Sequence, residues 1–370
     1  MKKTAVLLLA GALCAALLSG CGKKEETAEP EISLAAVENV VEQKEEPPAH
    51  EGEARSALTG EWIDEEVAAL RPFAVMMGNT KIATPQYGIS SADVIYESPV
   101  EGSETRLMPI FQDYRSVEKI CSVRSCRLYY IDWALEFDAI YGHYGQAYLA
   151  KDMLAEDYVN NLSGLSGALE NTMYFRDPDR KAPHNAYTTG EGISEGIRIM
   201  EYDPQREAGY ESHYRFNEDD ENEIRLTQGQ DAAVVRPGYL VNKPWFVYNT
   251  ETGLYERFQN GSAQTDAGDG SQVAVKNILM QVCDWYVADE EAGYLSIDTM
   301  SGGSGYYITN GKAVPVTWSK ESQSAPTRYY DAEGNEITLN QGKTWVCIIQ
   351  DTYADRVAFY ASEEEFQTAQ

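Results

Sequence analysis

Residues 71–79 read Arg71-Pro72-Phe73-Ala74-Val75-Met76-Met77-Gly78-Asn79, an unbroken apolar run from 73 to 77 entered through a proline and closed by Gly-Asn. Such a run has no polar side chain at alternate positions and therefore no wet face. It predicts a short strand buried on both sides. Working outward, Asp93–Ser98 and Thr105–Phe111 read as further strands, separated by a turn from Pro99 to Glu104 that contains Gly102. Arg127–Phe137 reads as a helix, with Leu128, Ile131 and Leu135 on one face and Asp132 and Glu136 off it. Ala139–Tyr144 returns to a strand ended by Gly145, and Ala147–Tyr158 and Gly190–Tyr202 read as helices. Strands and helices alternate, so residues 58–217 are expected to form an α/β layered domain with a mixed sheet.

The period changes after an acidic stretch, residues 218–230, read as a linker. Trp245–Tyr248 and Leu254–Phe258 bracket Asn249-Thr250-Glu251-Thr252-Gly253, a hairpin signature. Val273–Val287, Tyr294–Thr299, Gly305–Thr309, Val314–Trp318, Thr327–Tyr330, Glu336–Leu339 and Thr344–Ile349 follow as strands, the later ones divided by Gly- and Asn-containing turns. Residues 231–362 are thus expected to form a mostly antiparallel β domain. The fold class is α+β, with the α/β layered domain first and the β-rich domain second.

The N-terminus is an address. Lys2 and Lys3 precede an apolar run from Ala5 to Leu18. At about 14 residues it is shorter than the ~20 a membrane-spanning helix needs. It ends in Leu18-Ser19-Gly20-Cys21, a lipobox: small residues give the peptidase access, and the Cys21 thiol carries the diacylglycerol. Residues 1–20 read as a lipoprotein signal peptide, Cys21 as the lipidation site and Cys14 as discarded with the leader. The expected localisation is the cell membrane, lipid-anchored on its extracytoplasmic face. Residues 21–57 are rich in Glu, Lys, Ala and Pro and read as a disordered acidic tether. About 35 such residues reach roughly 30–35 Å.

Net charge is −29, with 59 acidic against 30 basic residues. A chain so acidic repels nucleic-acid phosphate, so no nucleic-acid partner is expected. The aromatic count (25 Tyr, 9 Phe, 6 Trp) argues for packed folded domains after the tether. Cys121, Cys126, Cys283 and Cys347 remain in the mature body without CxxC or Cys/His zinc spacing, so neither metal nor cofactor is expected. Cys121 and Cys126 could close a disulfide ring around Val123-Arg124-Ser125, since the exported compartment permits it. Cys283 and Cys347 sit in apolar strands and read as buried thiols.

One resemblance becomes specific when these pieces are put in order. Leu58-Thr59-Gly60, Arg71 to Met77, Asn79, Pro85-Gln86-Tyr87-Gly88, Ala92-Asp93, Tyr96-Glu97, Glu101-Gly102, Thr105-Arg106, Val123 to Arg127 and Arg180 to Asn185 resemble the first domain of the YerB family of bacterial lipoproteins. Asn277 to Gln281, Gly302 to Gly305, Asn310-Gly311-Lys312, Trp318-Ser319-Lys320 and Gly342 to Trp345 resemble its second. The resemblance implies an exported, often lipid-anchored protein of two domains whose activity is unestablished. Cys121 and Cys126 both depart from the family's usual residues, which adds to the case for a disulfide.

Three groups could carry chemistry. Arg124 and Arg127, flanking Ser125 before a helix, would hold a phosphate or carboxylate with guanidinium forks and helix N–H groups, or else pair with carboxylates of this acidic chain. His143, in Tyr-Gly-His-Tyr-Gly, and His184, in Ala-Pro-His-Asn, lie in Gly- or Pro-framed loops where a general base or ligand-binding histidine is expected, unless both are structural. Glu97, Glu101, Glu104 and Arg106 cluster at a strand end, either as paired catalytic carboxylates or as an acidic turn tied by Arg106. His50 in the tether and His213 near the linker carry no expectation.

Other motifs are weak. There is no P-loop or HExxH; Gly192 to Gly196 spells GxSxG within a helical pattern, and Ser116 to Lys119 spells SxxK without partner motifs. The leading functional reading is a binding module for an anionic or wall-derived ligand or a partner envelope protein, with Arg106, Arg124, Arg127, His143, His184 and Asn185 lining one cleft. One alternative is a cell-envelope hydrolase pairing His143 or His184 with Glu97 or Glu101. A second is a structural scaffold of an envelope complex.

Overall fold

A computed structural model describes residues 50–206, 210 and 212–369. The leader, Cys21 and the tether up to residue 49 lie outside the described residues. The stretch that opens the sequence argument forms strands Phe73–Val75 and Met77–Gly78, both on Thr105–Phe111. These belong to a sheet of 12 strands. Along its path run Gln230–Asp231, Lys312–Ser319, Gly303–Thr309, Asn277–Cys283, Thr344–Gln350, Val94–Pro99, Thr105–Phe111, Phe73–Val75, Ile140–His143 and Asn161–Ser163. Arg328–Tyr330 and Met77–Gly78 attach beside it.

Both faces of the central strands are buried, as the lack of alternation in Phe73–Val75, Val94–Pro99, Thr105–Phe111 and Thr344–Gln350 requires. Phe73, Val75, Ile95, Leu107, Trp345 and Cys347 pack into one core, while Ala74, Met76, Val94, Tyr96, Met108 and Val346 pack into the other. The period of two along each strand divides the side chains between layers. Helix Leu128–Leu135 supplies Tyr130 and Trp133 to the second core. The first core is covered by helix Gly190–Ile199 and by a six-stranded sheet that contributes Val235, Phe246 and Tyr255. Close approach decides one residue type here: a Cβ on Gly142 would sit 2.4 Å from the Phe73 ring, so only glycine lets the two strands meet.

The α+β class holds, with a mixed sheet in the N-terminal half and mostly antiparallel pairing in the C-terminal half. The two halves nevertheless share the long sheet. Thr344–Gln350 lies between Asn277–Cys283 and Val94–Pro99 and runs parallel to both.

Several expectations need correction. Ala147–Tyr158 is not an α-helix but two 3-10 turns, Tyr148–Ala150 and Met153–Ala155. Its backbone bonds run to the third residue, as in Ala150 N to Ala147 O and Ala155 N to Asp152 O, a spacing that apolar periodicity does not separate from the helical one. Val273–Val287 is three strands, because Lys276 N and Asn277 N both turn to Lys343 O and Asp284 O takes Asp298 N. Glu336–Leu339 reduces to single bridges from Glu336 to Tyr330 and from Leu339 to Phe216, since no one segment lines up along it. The end of the acidic tether is structured: Glu53–Arg55 pairs with Trp62–Asp64. The stretch 218–230 lies against the body, with Asp220 accepting from Arg55, Trp62 and Gln341 and Glu223 paired with Lys276. Structure continues past residue 362 into helix Glu363–Thr368.

Candidate functional site

Three segments converge at one end of Thr105–Phe111. Arg106 comes from that strand, beside Gly78 on the neighbouring strand. Arg124 follows Ile120–Cys121 and is held by its backbone, Arg124 N donating to Met76 O and Tyr144 N donating to Arg124 O. His184 closes the loop between Phe175–Arg176 and Ala186–Thr188, an antiparallel pair that also joins Ile120–Cys121. Together with Asn79, Glu101, Glu104 and Thr105 they line a cleft of about 110 Å³. At roughly 30 Å³ per water, that is room for three or four waters, or for one carboxylate or phosphate group. Gly78 matters to its shape: a Cβ there would lie 3.1 Å from Arg124 Cγ and 2.9 Å from Ser122 Oγ.

The cations of the cleft are only partly neutralised. Arg127, expected in the cleft, does not line it and is fully engaged behind it, its Nε and Nη2 both bonded to the Glu101 carboxylate. Burial works against its charge, but Glu101's hydrogen bonds and charge hold its pKa above the usual arginine value. Arg106 donates to Ser125 O and lies 3.9 Å from Glu101. Burial, with Arg127 and Arg124 nearby, brings its pKa down to about 10 despite Glu101. Arg124 donates to Pro183 O at 2.9 Å and meets no carboxylate among the described residues. Burial and then Arg127 lower its pKa as well. His184 Nδ1 is buried without a partner among the described residues. Burial, followed by the charges of Arg124, Arg106 and Arg180, pushes that imidazole below its ordinary value. Burial raises the Glu104 carboxyl. Mutually repelling cations around a small opening are what an anion would stabilise.

Other expected site residues lie elsewhere. His143 is buried, with Nδ1 against Gly145 O at 2.9 Å and Nε2 against Asn161 Oδ1 at 3.3 Å. Both ring nitrogens face oxygen atoms of the interior, to one of which a neutral imidazole donates, and the ring does not line the cleft. Asn185 accepts from Arg176 and is not part of the cleft lining. Glu97 has no exposure and binds Arg257 at 2.6 Å. Among the described residues neither His143 nor His184 bonds Glu97 or Glu101, the pairing that the hydrolase alternative expected.

Cys121 and Cys126 are free, which corrects the expected disulfide. Cys121 is fixed in its strand opposite Tyr187, its thiol towards His184 O, while Cys126 pairs with Gln146 and turns its thiol towards Arg127 O. Burial pushes the two thiols up to about 11 and about 12. Cys283 and Cys347 are buried free thiols.

Sequence reasoning missed the floor of the cleft. Asn79 and Thr105 line it from above and bond Glu97 below, at 3.1 and 2.8 Å. Glu97 also accepts from Asn242 at 2.9 Å and pairs with Arg257, both from the C-terminal half. Gln259 and Gln86 close the ring onto Asn79 Oδ1. Strand parity was the available signal, since Tyr255, Arg257 and Gln259 alternate with outward residues and all three are buried. His213, which carried no expectation, is buried against Phe137 near a second buried pair, Glu136 with Lys320.

Comparison with known proteins matches the N-terminal domain described as protein of unknown function (DUF3048) to residues 58–203 and the corresponding C-terminal domain to residues 233–346. YerB of Bacillus subtilis strain 168, which carries the name of a lipoprotein, is 28% identical over 331 residues, covering 86% of this chain and 92% of that protein. The crystal structure of Bacillus subtilis YerB superposes with a TM-score of 0.73 at 27% identity, over 83% of this chain and 99% of the other.

Proposed function

The chain belongs to the YerB family, with DUF3048 N- and C-terminal domains in tandem, and from that premise we propose that it is an envelope-anchored binding protein for a small anionic group. Export and acylation at Cys21 put the folded body on the extracytoplasmic face. There the cleft of Arg106, Arg124 and His184 takes the carboxylate or phosphate of a wall-derived ligand. The YerB relative is named as a lipoprotein, which supports the anchor.

The carrying observation is the convergence of Arg106, Arg124 and His184 on one cleft, with Arg124 unpaired by any described carboxylate and His184 Nδ1 unpartnered. Arg127, bound to Glu101, is not among the lining residues and is left out of the ligand contacts. A charge-assisted hydrogen bond is worth about 1.5–3 kcal/mol, roughly 10- to 100-fold in affinity for each one lost. Titrating the full chain with wall fragments and with inorganic phosphate tests the reading. Arg124→Ala combined with His184→Gln, both partly exposed, should weaken binding by at least tenfold. Equal affinity in the parent and the double variant would overturn the assignment.

A further inference from the structure

The C-terminal half holds a second and larger cavity, about 500 Å³ in volume. Its wall includes Trp245, which stacks on Phe258 with centroids 5.1 Å apart and meets Phe366 at 5.6 Å. Arg236, Lys243 and Arg356 surround it. In a chain with 59 acidic and 30 basic residues, basic side chains have abundant potential partners. Yet among the described residues none of these three is paired with a carboxylate; Arg236 and Arg356 lie over the rings of Tyr360 and Tyr353, 5.9 and 5.2 Å from their centroids. Asn242 is also among the lining residues, but its side chain is 1% exposed and turned inward, its Nδ2 donating to Glu97, Thr105 and Gln259 beneath the first cleft.

We propose that this cavity is a second binding site, distinct from the Arg106 cleft, for a small aromatic anion. The ring lies against Trp245 and Phe366, and its carboxylate or phosphate meets Arg236, Lys243 and Arg356. Two demands are thereby met at once: the apolar wall is covered and the cations gain a counter-charge.

Equilibrium dialysis of the full chain against radiolabelled 4-hydroxybenzoate tests the site. Saturable binding is expected, with phenol, which lacks the charge, competing at least tenfold more weakly. Lys243→Ala plus Arg356→Ala, at two exposed positions, should cost at least tenfold, and Arg356→Lys should retain binding. The cleft variant Arg124→Ala, His184→Gln should bind the probe as the parent does. Absence of saturable binding, undiminished binding by the Lys243/Arg356 variant, or loss confined to the Arg124/His184 variant would each overturn the proposal. The last outcome would move the probe to the first cleft and leave that reading standing.

Discussion

Arg257 Nη2 lies 2.6 Å from Glu97 Oε2 with both side chains fully buried, joining strands 160 residues apart in the chain. The guanidinium also lies 4.2 Å from the Trp345 ring. Around Glu97 gather Asn79 and Thr105 from one half and Asn242 from the other. The floor of the Arg106 cleft therefore rests on a polar core built from both halves, so cleft geometry depends on their docking.

Removing one member of that pair leaves a charge in the interior without its counterion. Glu97→Ala or Arg257→Ala should destabilise the protein by about 3–5 kcal/mol. Replacing both by apolar residues of similar size, Glu97→Leu with Arg257→Met, should recover much of the loss. Urea unfolding followed by tryptophan fluorescence checks this. Additive losses in the double variant would mean that the two residues are not coupled.

His213 should make stability fall in mild acid. Burial, with Arg328 and Lys320 nearby, holds its pKa well below the usual histidine value, so the folded state binds fewer protons than the unfolded one. The stabilising contribution is complete above the unfolded pKa of about 6.5 and is lost as pH falls below it. Unfolding free energies at pH 7.5 and at pH 5.5 should differ more in the parent than in His213→Phe. Identical pH dependence in the two would remove the assignment.

Ligand affinity should run the other way with pH. His184 is neutral at pH 7 because burial and the neighbouring arginines lower its pKa. Protonation below its ordinary range adds a cation to the cleft, so inorganic phosphate held at one charge state by analysis should bind more tightly as pH falls. Isothermal titration across pH 5 to 7.5 reads this. The trend should vanish in His184→Gln.

All four cysteines of the folded body should be present as protected thiols. A bulky maleimide should leave Cys121, Cys126, Cys283 and Cys347 unmodified in the native protein and alkylate all four in denaturant without reductant. Peptide mapping gives the count directly. Only two alkylated sites would signify the disulfide that the packing of Cys121 and Cys126 argues against.

The sequence made the local elements readable where burial imposed a pattern. Thr105–Phe111 has its anticipated bounds, and the Trp245–Asn249 and Leu254–Gln259 hairpin forms around the anticipated turn. The joining of the halves was not readable, because Thr344–Gln350 pairs in parallel with Val94–Pro99 across a separation that no turn signal marks. The cleft was half legible. Arg106, Arg124 and His184 stand out as polar residues beside glycines, prolines and strand ends, but no spacing rule distinguishes them from His143, whose ring is buried against Gly145 and Asn161. Arg127 was recognisable as a cation and not as a spent one, since its partner Glu101 lies 26 residues away.

Anomalous diffraction from crystals of the protein soaked in selenate, a phosphate-like dianion with a strong selenium signal, tests the central claim most directly. A selenium peak is expected in the cleft, with selenate oxygens within hydrogen-bond distance of Arg106, Arg124 and the His184 ring. A cleft without anomalous density at saturating selenate, in crystals where Arg124 is free of lattice contacts, would contradict it.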